Sequence, residues 1–331
     1  MPAAIWRPSG STLRNDRSGL IALRHPALWL GLGGLLFAQG SCNASSLTAS
    51  GTSAVPLAAV PATLDRPPVR RPDFVLMGEL TQGGWLRGLA PAGAAAVSFN
   101  GEPVALEGDG AFIVAFDRDA PAAALLVASV PGRPAITRQL TVSPRAWNIE
   151  HVAVGPRPGA LPSAEYQRRR AGELARINAA RAVLAESGGW RQRFIWPVRG
   201  RLSGFFGSQR IYRGTPGGYH SGTDIATGGS GTLYVAPADG VVVLAADNPF
   251  TLEGKLLMID HGMGLTSAFL HSSEILVREG ERIRQGQPIG RIGMTGRATG
   301  SHLHWSVKWR KARLDPILFA GPMPAGDAGQ K

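Results

Sequence analysis

The sequence predicts a mainly β protein, in which a small β-sandwich-like domain and one long linking helix precede a larger antiparallel β domain. Three observations indicate this fold class. The chain of 331 residues contains 44 glycines, and short apolar segments are separated by turn signals along much of it. Residues 302–309 alternate between polar and apolar side chains, as a half-buried strand does. Only residues 163–187 have the composition of a long helix, rich in Ala, Leu, Arg and Glu.

Residues 73–148 have the short strands and turns expected of the small β domain. Asn100-Gly101 follows an apolar segment and Asp109-Gly110 precedes another, and both dipeptides favour hairpin turns. Several short strands at this spacing are typical of a β-sandwich. The segment has no cluster of titratable residues. Its role stays open between positioning the larger domain, covering a site and acting as a spacer.

The predicted helix, residues 163–187, begins with Ser163 as its N-cap and has Glu165 in its first turn, where a negative charge is favoured. Gly188-Gly189 is expected to end it. The run Arg168–Arg170 is interpreted either as a solvated face or as a contact for acidic wall polymer or phospholipid. Four apolar residues recur at helical spacing and predict its packing face: Leu174, Ile177, Ala180 and Leu184.

Residues 190–322 concentrate the side chains that bind metals. His220 and Asp224 form an H-x3-D pair, and His302 and His304 form an H-x-H pair. Imidazole and carboxylate ligands with no cysteine nearby suit a catalytic zinc better than a structural one. Five of the seven histidines of the chain lie here: His220, His261, His271, His302 and His304.

The H-x-H pair lies on the predicted strand over residues 302–309. Positions two apart on a strand share a face, so His302 and His304 project together. The same face carries Ser306 and Lys308, and the opposite face is apolar. The pattern therefore predicts two histidines that point into one pocket.

The chain resembles the lysostaphin-type, or LytM-type, zinc endopeptidases, which cut peptide cross-links in peptidoglycan. The resemblance covers residues 196–319, in the segments WPVRGRLSGFFGSQR (196–210), YHSGTDIATGGSGTLYVAPADGVVV (219–243) and the stretch 256–307. It implies an antiparallel β catalytic domain of LytM type with Zn²⁺ as cofactor and peptidoglycan as partner. It also implies roles for five residues: His220, Asp224 and His304 as metal ligands, and His271 and His302 as catalytic histidines beside a metal-activated water.

Several features of this region stay open or receive other interpretations. The sequence does not tell which of His271 and His302 accepts a proton, and no H-E-x-x-H motif supplies a glutamate base. His261 follows an apolar segment and is predicted to be structural. Arg210 is predicted either to contact substrate or to be solvated. Phe269 stands where the family usually has Tyr, which predicts altered substrate contacts.

Residues 1–42 predict a signal peptide or a lipoprotein leader. The apolar run over residues 27–38 follows a basic segment and is too short for a membrane helix, which needs roughly 20 residues. Cys42, the only cysteine, is either a lipid-attachment site, and so a membrane tether, or a plain secreted thiol. Residues 43–72, rich in Ala, Ser, Thr and Pro, predict a flexible linker. The leader and the linker together predict a periplasmic or secreted protein, with anchoring to a membrane as an option.

The net charge of +12 favours anionic partners. Nucleic acid is excluded as a partner because no binding motif is present and the leader directs the chain out of the cytoplasm. The oligomeric state is open. The predicted function is that of a secreted or membrane-tethered zinc endopeptidase acting on peptidoglycan. The alternatives are a non-catalytic LytM-type activator of cell-wall amidases and a wall-binding scaffold that retains a zinc.

Overall fold

Antiparallel β-sheet and one long helix make up most of the regular structure in the computed structural model, which describes residues 71–153 and 163–324. The predicted leader (1–42) and all but the last two residues of the predicted linker (43–72) lie outside the described residues. Cys42 lies outside them as well. In the two described ranges, no helix combines the length and the hydropathy that a membrane crossing requires.

Seven short strands form the β domain that was predicted over residues 73–148. They pair antiparallel in two sheets, of three and four strands, and apolar side chains such as Phe112 and Leu126 are fully buried. Asn100 and Gly101 join two of the strands with φ of 50° and 85°, as a type I′ hairpin turn requires. The sheet orders are β1-β2-β5 and β4-β3-β6-β7, with β1 (Val75–Gly78), β2 (Trp85–Leu89), β3 (Ala96–Phe99), β4 (Glu102–Val104), β5 (Ala111–Ala115), β6 (Ala123–Ser129) and β7 (Ile136–Thr141).

The remaining strands build the larger domain around one eight-stranded antiparallel sheet. The order along this sheet is β18-β14-β15-β16-β20-β12-β9, and β21 pairs with β20. A short 3₁₀ turn (Gly189–Arg191) precedes the domain, and a short helix, α2 (Ile317–Ala320), follows it. The strands are β8 (Ile149–Val152), β9 (Arg201–Gly204), β10 (Gln209–Tyr212), β11 (Thr215–Pro216), β12 (Thr223–Ala226), β13 (Leu233–Val235), β14 (Gly240–Phe250), β15 (Gly254–Asp260), β16 (Leu265–Ser272), β17 (Glu274–Ile275), β18 (Arg282–Ile283), β19 (Pro288–Arg291), β20 (Leu303–Trp309) and β21 (Ala312–Leu314).

Strand β20 has the alternation that its sequence predicts. Its apolar positions, including Trp305 and Val307, are fully buried, whereas Ser306 and Lys308 are half-buried on the other face. His304 lies on that second face. Among the named strands one pairing is parallel, that of β10 with β8, the strand that directly follows the β domain.

The long helix, α1 (Ala164–Ala182), is shorter than the predicted range 163–187. Ser163 is its N-cap, since the Ser163 side chain accepts a hydrogen bond from the Tyr166 backbone N–H at 3.1 Å. After Ala182 the backbone is extended at Val183. The buried carboxylate of Asp260 accepts the Ala185 N–H at 3.1 Å, which holds this segment in its extended form.

The packing face of α1 differs from the predicted one. Ile177 and Ala180 are buried as predicted, but Leu174 and Leu184 are 41% and 75% exposed. The third buried position is Glu173 instead. The face packs on β14 and β15, against Leu244, Ala246, Phe250, Leu256 and Met258.

A buried ionic network explains why Glu173 occupies this face. Its carboxylate accepts hydrogen bonds from Arg169 at 3.1 Å, from Arg170 at 3.0 Å and from the backbone and hydroxyl of Thr251, both at 2.7 Å. Arg170 also forms a two-point ion pair with Glu253, at 2.6 and 2.8 Å. Within the run 168–170, Arg168 and Arg169 are exposed and fit the predicted solvated face, although Arg169 is ion-paired, whereas Arg170 is held within the protein.

The β domain packs directly on the larger domain through a shared apolar core. Trp85 stacks on Phe319 at 5.1 Å, and its indole N–H donates to the Leu318 carbonyl at 3.1 Å. Arg145 pairs at 2.8 Å with Asp315, which is only 2% exposed. Breaking a buried pair of this kind typically costs about 3–5 kcal/mol. A freely hinged spacer is therefore excluded.

Candidate metal centre

Three side chains that the sequence singled out come together at one edge of the β20–β12 strand pair. Asp224 on β12 lies directly opposite His304 on β20, and His220 precedes β12. Asp224 Oδ1 lies 3.0 Å from His220 Nε2 and 2.8 Å from His304 Nδ1, and the two nitrogens are 3.1 Å apart. Among the described residues, these three form a group whose ligand atoms all lie within 4.8 Å of one another.

The chemistry of these atoms fits a metal ion. His220 Nδ1 donates to the Phe205 carbonyl at 3.1 Å, so in neutral His220 the Nε2 atom carries a lone pair. That lone pair faces a carboxylate oxygen and a second imidazole, an arrangement that only a proton or a metal ion can hold together. Zinc bonds of 2.0–2.2 Å in a tetrahedron separate ligand atoms by about 3.3–3.6 Å, slightly more than the distances here.

Two glycines make room for the cluster. A Cβ atom at Gly222 would lie 2.4 Å from the Trp305 carbonyl oxygen and 2.8 Å from His304 Nε2. A Cβ atom at Gly204 would lie 2.3 Å from Asp224 Oδ2. Backbone passes this close to the ligands only where no side chain intervenes.

His271 and His302 flank the cluster without belonging to it. Their ring centroids are 4.9 Å apart, and His302 Nε2 is 3.7 Å from Asp224 Oδ1. His271 Nδ1 donates to the Thr295 carbonyl and His302 Nδ1 donates to the Gly300 carbonyl, both at 2.8 Å, and these bonds fix the two rings. These bonds leave the lone pair of each neutral ring on Nε2. His271 also has φ of 66°, a strained conformation for a residue with a side chain.

The electrostatics keep the carboxylate of Asp224 charged and the imidazoles of His304 and His271 neutral. Burial acts to raise the pKa of Asp224, but hydrogen bonds from His220 and His304 outweigh it and hold that pKa far below its usual range. Burial acts to lower the pKa of His220, and the hydrogen bond to Asp224 raises it overall. Burial lowers the pKa of His304 and is the main cause that lowers the pKa of His271.

A cavity of about 410 Å³ opens over the cluster, and a groove of about 890 Å³ adjoins it. Every residue lining the cavity lies between 219 and 304, so the described part of the β domain covers none of it. The groove is different, because Asn148, the last residue of the β domain, and Glu150 on β8 form part of its wall. The cavity and the groove share Tyr219, His220, Asp224 and Arg297.

Other residues singled out from the sequence lie outside the cluster. His261 is fully buried, and its ring bonds the Asp239 carbonyl at 2.7 Å and Ser267 Oγ at 2.8 Å. Arg210 lines the groove, where it pairs with Glu150 at 2.7 Å. The prediction for Phe269 was wrong, because this ring is fully buried against Tyr234 and cannot contact a substrate.

Sequence reasoning missed two features of the site. Tyr219 lines the cavity and donates to Asp117 of the β domain, and an aromatic residue next to a ligand histidine was an available signal. Glu150 reaches the groove only through the parallel pairing of β8 with β10, which no local sequence pattern predicts.

Two imidazoles and one carboxylate beneath an open cavity define a candidate mononuclear metal centre in an antiparallel β domain. Residues 218–316 match Peptidase family M23. The chain therefore contains a peptidase family M23 domain, which confirms the family resemblance predicted from its sequence segments.

Relatives of known name share this part of the chain. Peptidoglycan DD-endopeptidase ShyA of Vibrio cholerae is 38% identical over 136 residues, which cover 40% of this chain and 30% of ShyA. Murein hydrolase activator NlpD of Escherichia coli is 32% identical over 130 residues, which cover 39% of this chain and 31% of NlpD. The chain thus spans under a third of the length of these two relatives.

A solved structure resembles more of the chain. A Pseudomonas aeruginosa protein described as an M23 peptidase is 28% identical, with a TM-score of 0.54, and the match covers 73% of this chain and 94% of that one. Because residues 218–316 are a smaller part of the chain, the likeness extends beyond the M23 domain.

Proposed function

We propose that the chain is a zinc endopeptidase that hydrolyses peptide cross-links of peptidoglycan in the cell envelope, either secreted or tethered to a membrane. The observation that carries the proposal is the complete site. Three convergent ligand atoms, two further histidines with fixed rings and an open cavity lie together in an M23 domain. The relative ShyA, named as a peptidoglycan DD-endopeptidase, supports this choice of substrate.

In this proposal His220, Asp224 and His304 hold the zinc ion. Zinc, when bound, supplies Lewis-acid activation of a water molecule and of a peptide carbonyl. The protein supplies the ligands in a suitable state, because Asp224 is ionised and its contacts with both histidines already fix their orientation. A preformed site of this kind lowers the cost of ordering the ligands around the metal.

His271 and His302 handle the protons of the reaction. Each ring is held at Nδ1 by a backbone carbonyl, so Nε2 is the atom that accepts or donates a proton. One of them takes a proton from the attacking water, and the other donates one to the leaving amine. The lowered pKa of His271, caused first by burial, keeps its ring neutral and able to accept a proton at neutral pH.

The shared walls of the cavity and the groove indicate how a peptide binds. The two spaces meet at Tyr219, His220, Asp224 and Arg297, so a strand that passes from one to the other crosses the ligand cluster. The scissile amide then lies beside the candidate ligands, with Phe205 and Tyr212 on the groove side.

Digestion of purified peptidoglycan tests the proposal. A chain of residues 43–331, loaded with zinc, is expected to release peptides with new amino termini, detected by mass spectrometry. His271→Ala is expected to reduce the rate by about 10²–10⁴. His151→Ala removes an exposed histidine of β8 and serves as the control with unchanged rate. Full activity of His271→Ala would contradict the proton-transfer role.

A second candidate is supported by the relative NlpD, named as a murein hydrolase activator. An activator would stimulate a cell-wall amidase without cutting peptides itself. Adding the chain to a purified amidase with peptidoglycan distinguishes the two. Stimulation that survives His304→Ala, together with no peptide cleavage by the chain alone, would favour the activator; a wall-binding scaffold would give neither activity.

A further inference from the structure

Three basic side chains come together on the same side of the sheet as the metal-ligand cluster. Lys308 on β20 lies directly opposite Arg313 on β21, and Arg181 belongs to the last turn of α1. We call these three residues the cationic cluster. Like charges directly opposite each other on neighbouring strands destabilise a sheet. Among the described residues, neither Lys308 nor Arg181 forms an ion pair, so their charges are not neutralised there.

A strip of the sheet surface, formed by Ser306, Leu270 and Ala268, connects the cationic cluster to the candidate metal centre; we call this strip the floor. His304, Ser306 and Lys308 lie on one face of β20, and four residues of strand span about 13 Å. On the neighbouring strand, Leu270 lies opposite His304 and Ala268 opposite Ser306. Ser306, Leu270 and Ala268 are only half-buried, so the floor between the two clusters is partly open to solvent.

Helix α1 forms one wall along this floor. Near its N-terminus Arg170 binds Glu253, which lines the cavity over the candidate metal centre. Arg181 lies eleven residues further on, which is about three helical turns and about 16 Å. Arg170 and Arg181 therefore share a face of the helix. Their separation is close to that between His304 and Lys308, as expected for a helix that runs beside the floor.

Tyr219 links the opposite wall to both clusters. It precedes His220 and lines the cavity, and its hydroxyl accepts a hydrogen bond from Arg313 Nη1 at 3.3 Å. The Arg313 guanidinium also lies over the Tyr219 ring, 5.3 Å from its centroid. The groups that border the floor thus change from metal ligands at one end to guanidinium and ammonium groups at the other.

The cationic cluster carries more positive charge than the neighbouring acids neutralise. Asp117 is the acid that faces Lys308 and Arg313, but its two oxygens already accept the Tyr219 hydroxyl and the Arg313 backbone N–H. Glu253 faces Arg181 and is bound by Arg170. Burial, followed by the positive charges of Arg181 and Arg313, lowers the pKa of Lys308 to about 8. An anion placed among the three would remove this repulsion.

We propose that the cationic cluster is a substrate subsite that binds a free carboxylate of an acidic peptide, about 13 Å along β20 from the bond to be cut. The inference rests on the proposed function, since it takes the peptide to be the strand held at the metal centre. An extended peptide rises about 3.3 Å per residue, so the carboxylate belongs to a residue about four positions from the scissile amide. Arginine and lysine recognise carboxylates through charge-assisted hydrogen bonds.

Binding measurements with two matched ligands test the subsite. The ligands are cross-linked stem peptides of peptidoglycan. In one ligand the carboxylates are free, and in the other they are converted to amides. The protein is the zinc-loaded chain of residues 43–331 carrying His302→Ala, so that cleavage does not disturb calorimetric titration. We expect the free acid to bind at least about tenfold more tightly than the amide, as a charge-assisted hydrogen bond implies.

Charge-removing variants in the same background locate the effect. Arg181→Gln and Arg313→Gln change exposed side chains, and together they are expected to reduce the preference for the free acid below about twofold. Lys311→Gln, an exposed residue of the β20–β21 turn, is the matched control and keeps the preference. The subsite would be overturned by equal affinities for the two ligands when Arg181 and Arg313 are intact. An unchanged preference for the free acid in the double variant would also overturn it.

The same ligands separate this inference from the proposed function. Suppose that the protein with His302 intact cuts neither ligand but still binds the free acid more tightly through Arg181 and Arg313. The subsite then stands and the peptidase assignment fails. If that protein cuts both ligands and binds them equally, the peptidase assignment stands and the subsite is wrong.

Discussion

Tyr219 donates a hydrogen bond from its hydroxyl to Asp117 Oδ1 at 3.1 Å, across the boundary between the β domain and the M23 domain. Asp117 Oδ2 accepts the Arg313 backbone N–H at 2.8 Å. The guanidinium groups of Arg118 and Arg313 lie over the Tyr219 ring at 4.8 and 5.3 Å. The β domain therefore holds in place a side chain that lines the cavity beside His220.

Replacing Asp117 tests whether this contact matters for activity. Asp117→Ala removes one hydrogen bond to Tyr219, a loss of about 1 kcal/mol, so kcat/KM is expected to fall about fivefold. The zinc content should not change, because no metal ligand is touched. Glu102→Ala, at an exposed position of strand β4 in the same domain, is the control. An unchanged kcat/KM in Asp117→Ala would show that Tyr219 is positioned by other contacts.

Gly222→Ala is expected to weaken metal binding. The added methyl group would lie 2.4 Å from the Trp305 carbonyl oxygen and 2.8 Å from His304 Nε2, so the ligand ring must shift. Changes that misplace metal ligands typically cost 10–100-fold in affinity, which is roughly the loss expected here. Competition with a chelator measures it. Gly218→Ala has open space around the new Cβ atom and should bind zinc as before.

Arg170→Ala is expected to destabilise the fold. It leaves the buried Glu173 with one ionic partner fewer and leaves Glu253 without its two-point partner. Loss of one partner from a buried pair costs about 3–5 kcal/mol, and urea denaturation measures the change in the free energy of unfolding. Arg168→Ala, on the exposed face, should change it by less than about 0.5 kcal/mol. Similar values for the two variants would contradict the network.

Stability should fall in mild acid because of His261. Burial lowers the pKa of this ring to about 4, whereas an unfolded histidine has a pKa of about 6.5. Between these values the unfolded chain binds a proton that the folded chain does not. The contribution of His261 is therefore present above pH 6.5 and is lost as the pH falls, by about 2 kcal/mol between pH 7 and pH 5.

Comparison with His261→Gln isolates this effect from that of the other titrating groups. Glutamine does not titrate, so the difference in unfolding free energy between the two proteins should shrink by about 2 kcal/mol from pH 7 to pH 5. Chemical denaturation at several pH values supplies the data. A constant difference would show that the buried ring has an ordinary pKa.

The sequence predicted the parts of the site that depend on local periodicity. The alternation over residues 302–309 placed His304, Ser306 and Lys308 on one face, and the structure has the same alternation. The N-cap at Ser163 and the Asn100-Gly101 turn were also predictable, because both depend on a few neighbouring residues.

Contacts between distant segments were not predictable from local patterns. The face of α1 was misassigned because hydrophobicity pointed to Leu174 and Leu184, whereas four hydrogen bonds allow the charged Glu173 to be buried. Phe269 was misassigned because the sequence does not tell which face of a strand meets the core. The pairing of β8 with β10 joins residues 60 positions apart.

The most direct test measures zinc content and peptidoglycan cleavage together in His304→Ala and His302→Ala. We expect His304→Ala to lose both the zinc and the cleavage. We expect His302→Ala to keep about one zinc per chain, because the three ligands are intact, and to lose cleavage. Zinc and cleavage both retained in His304→Ala would contradict the assignment of the metal centre, and full cleavage by His302→Ala would contradict its catalytic role.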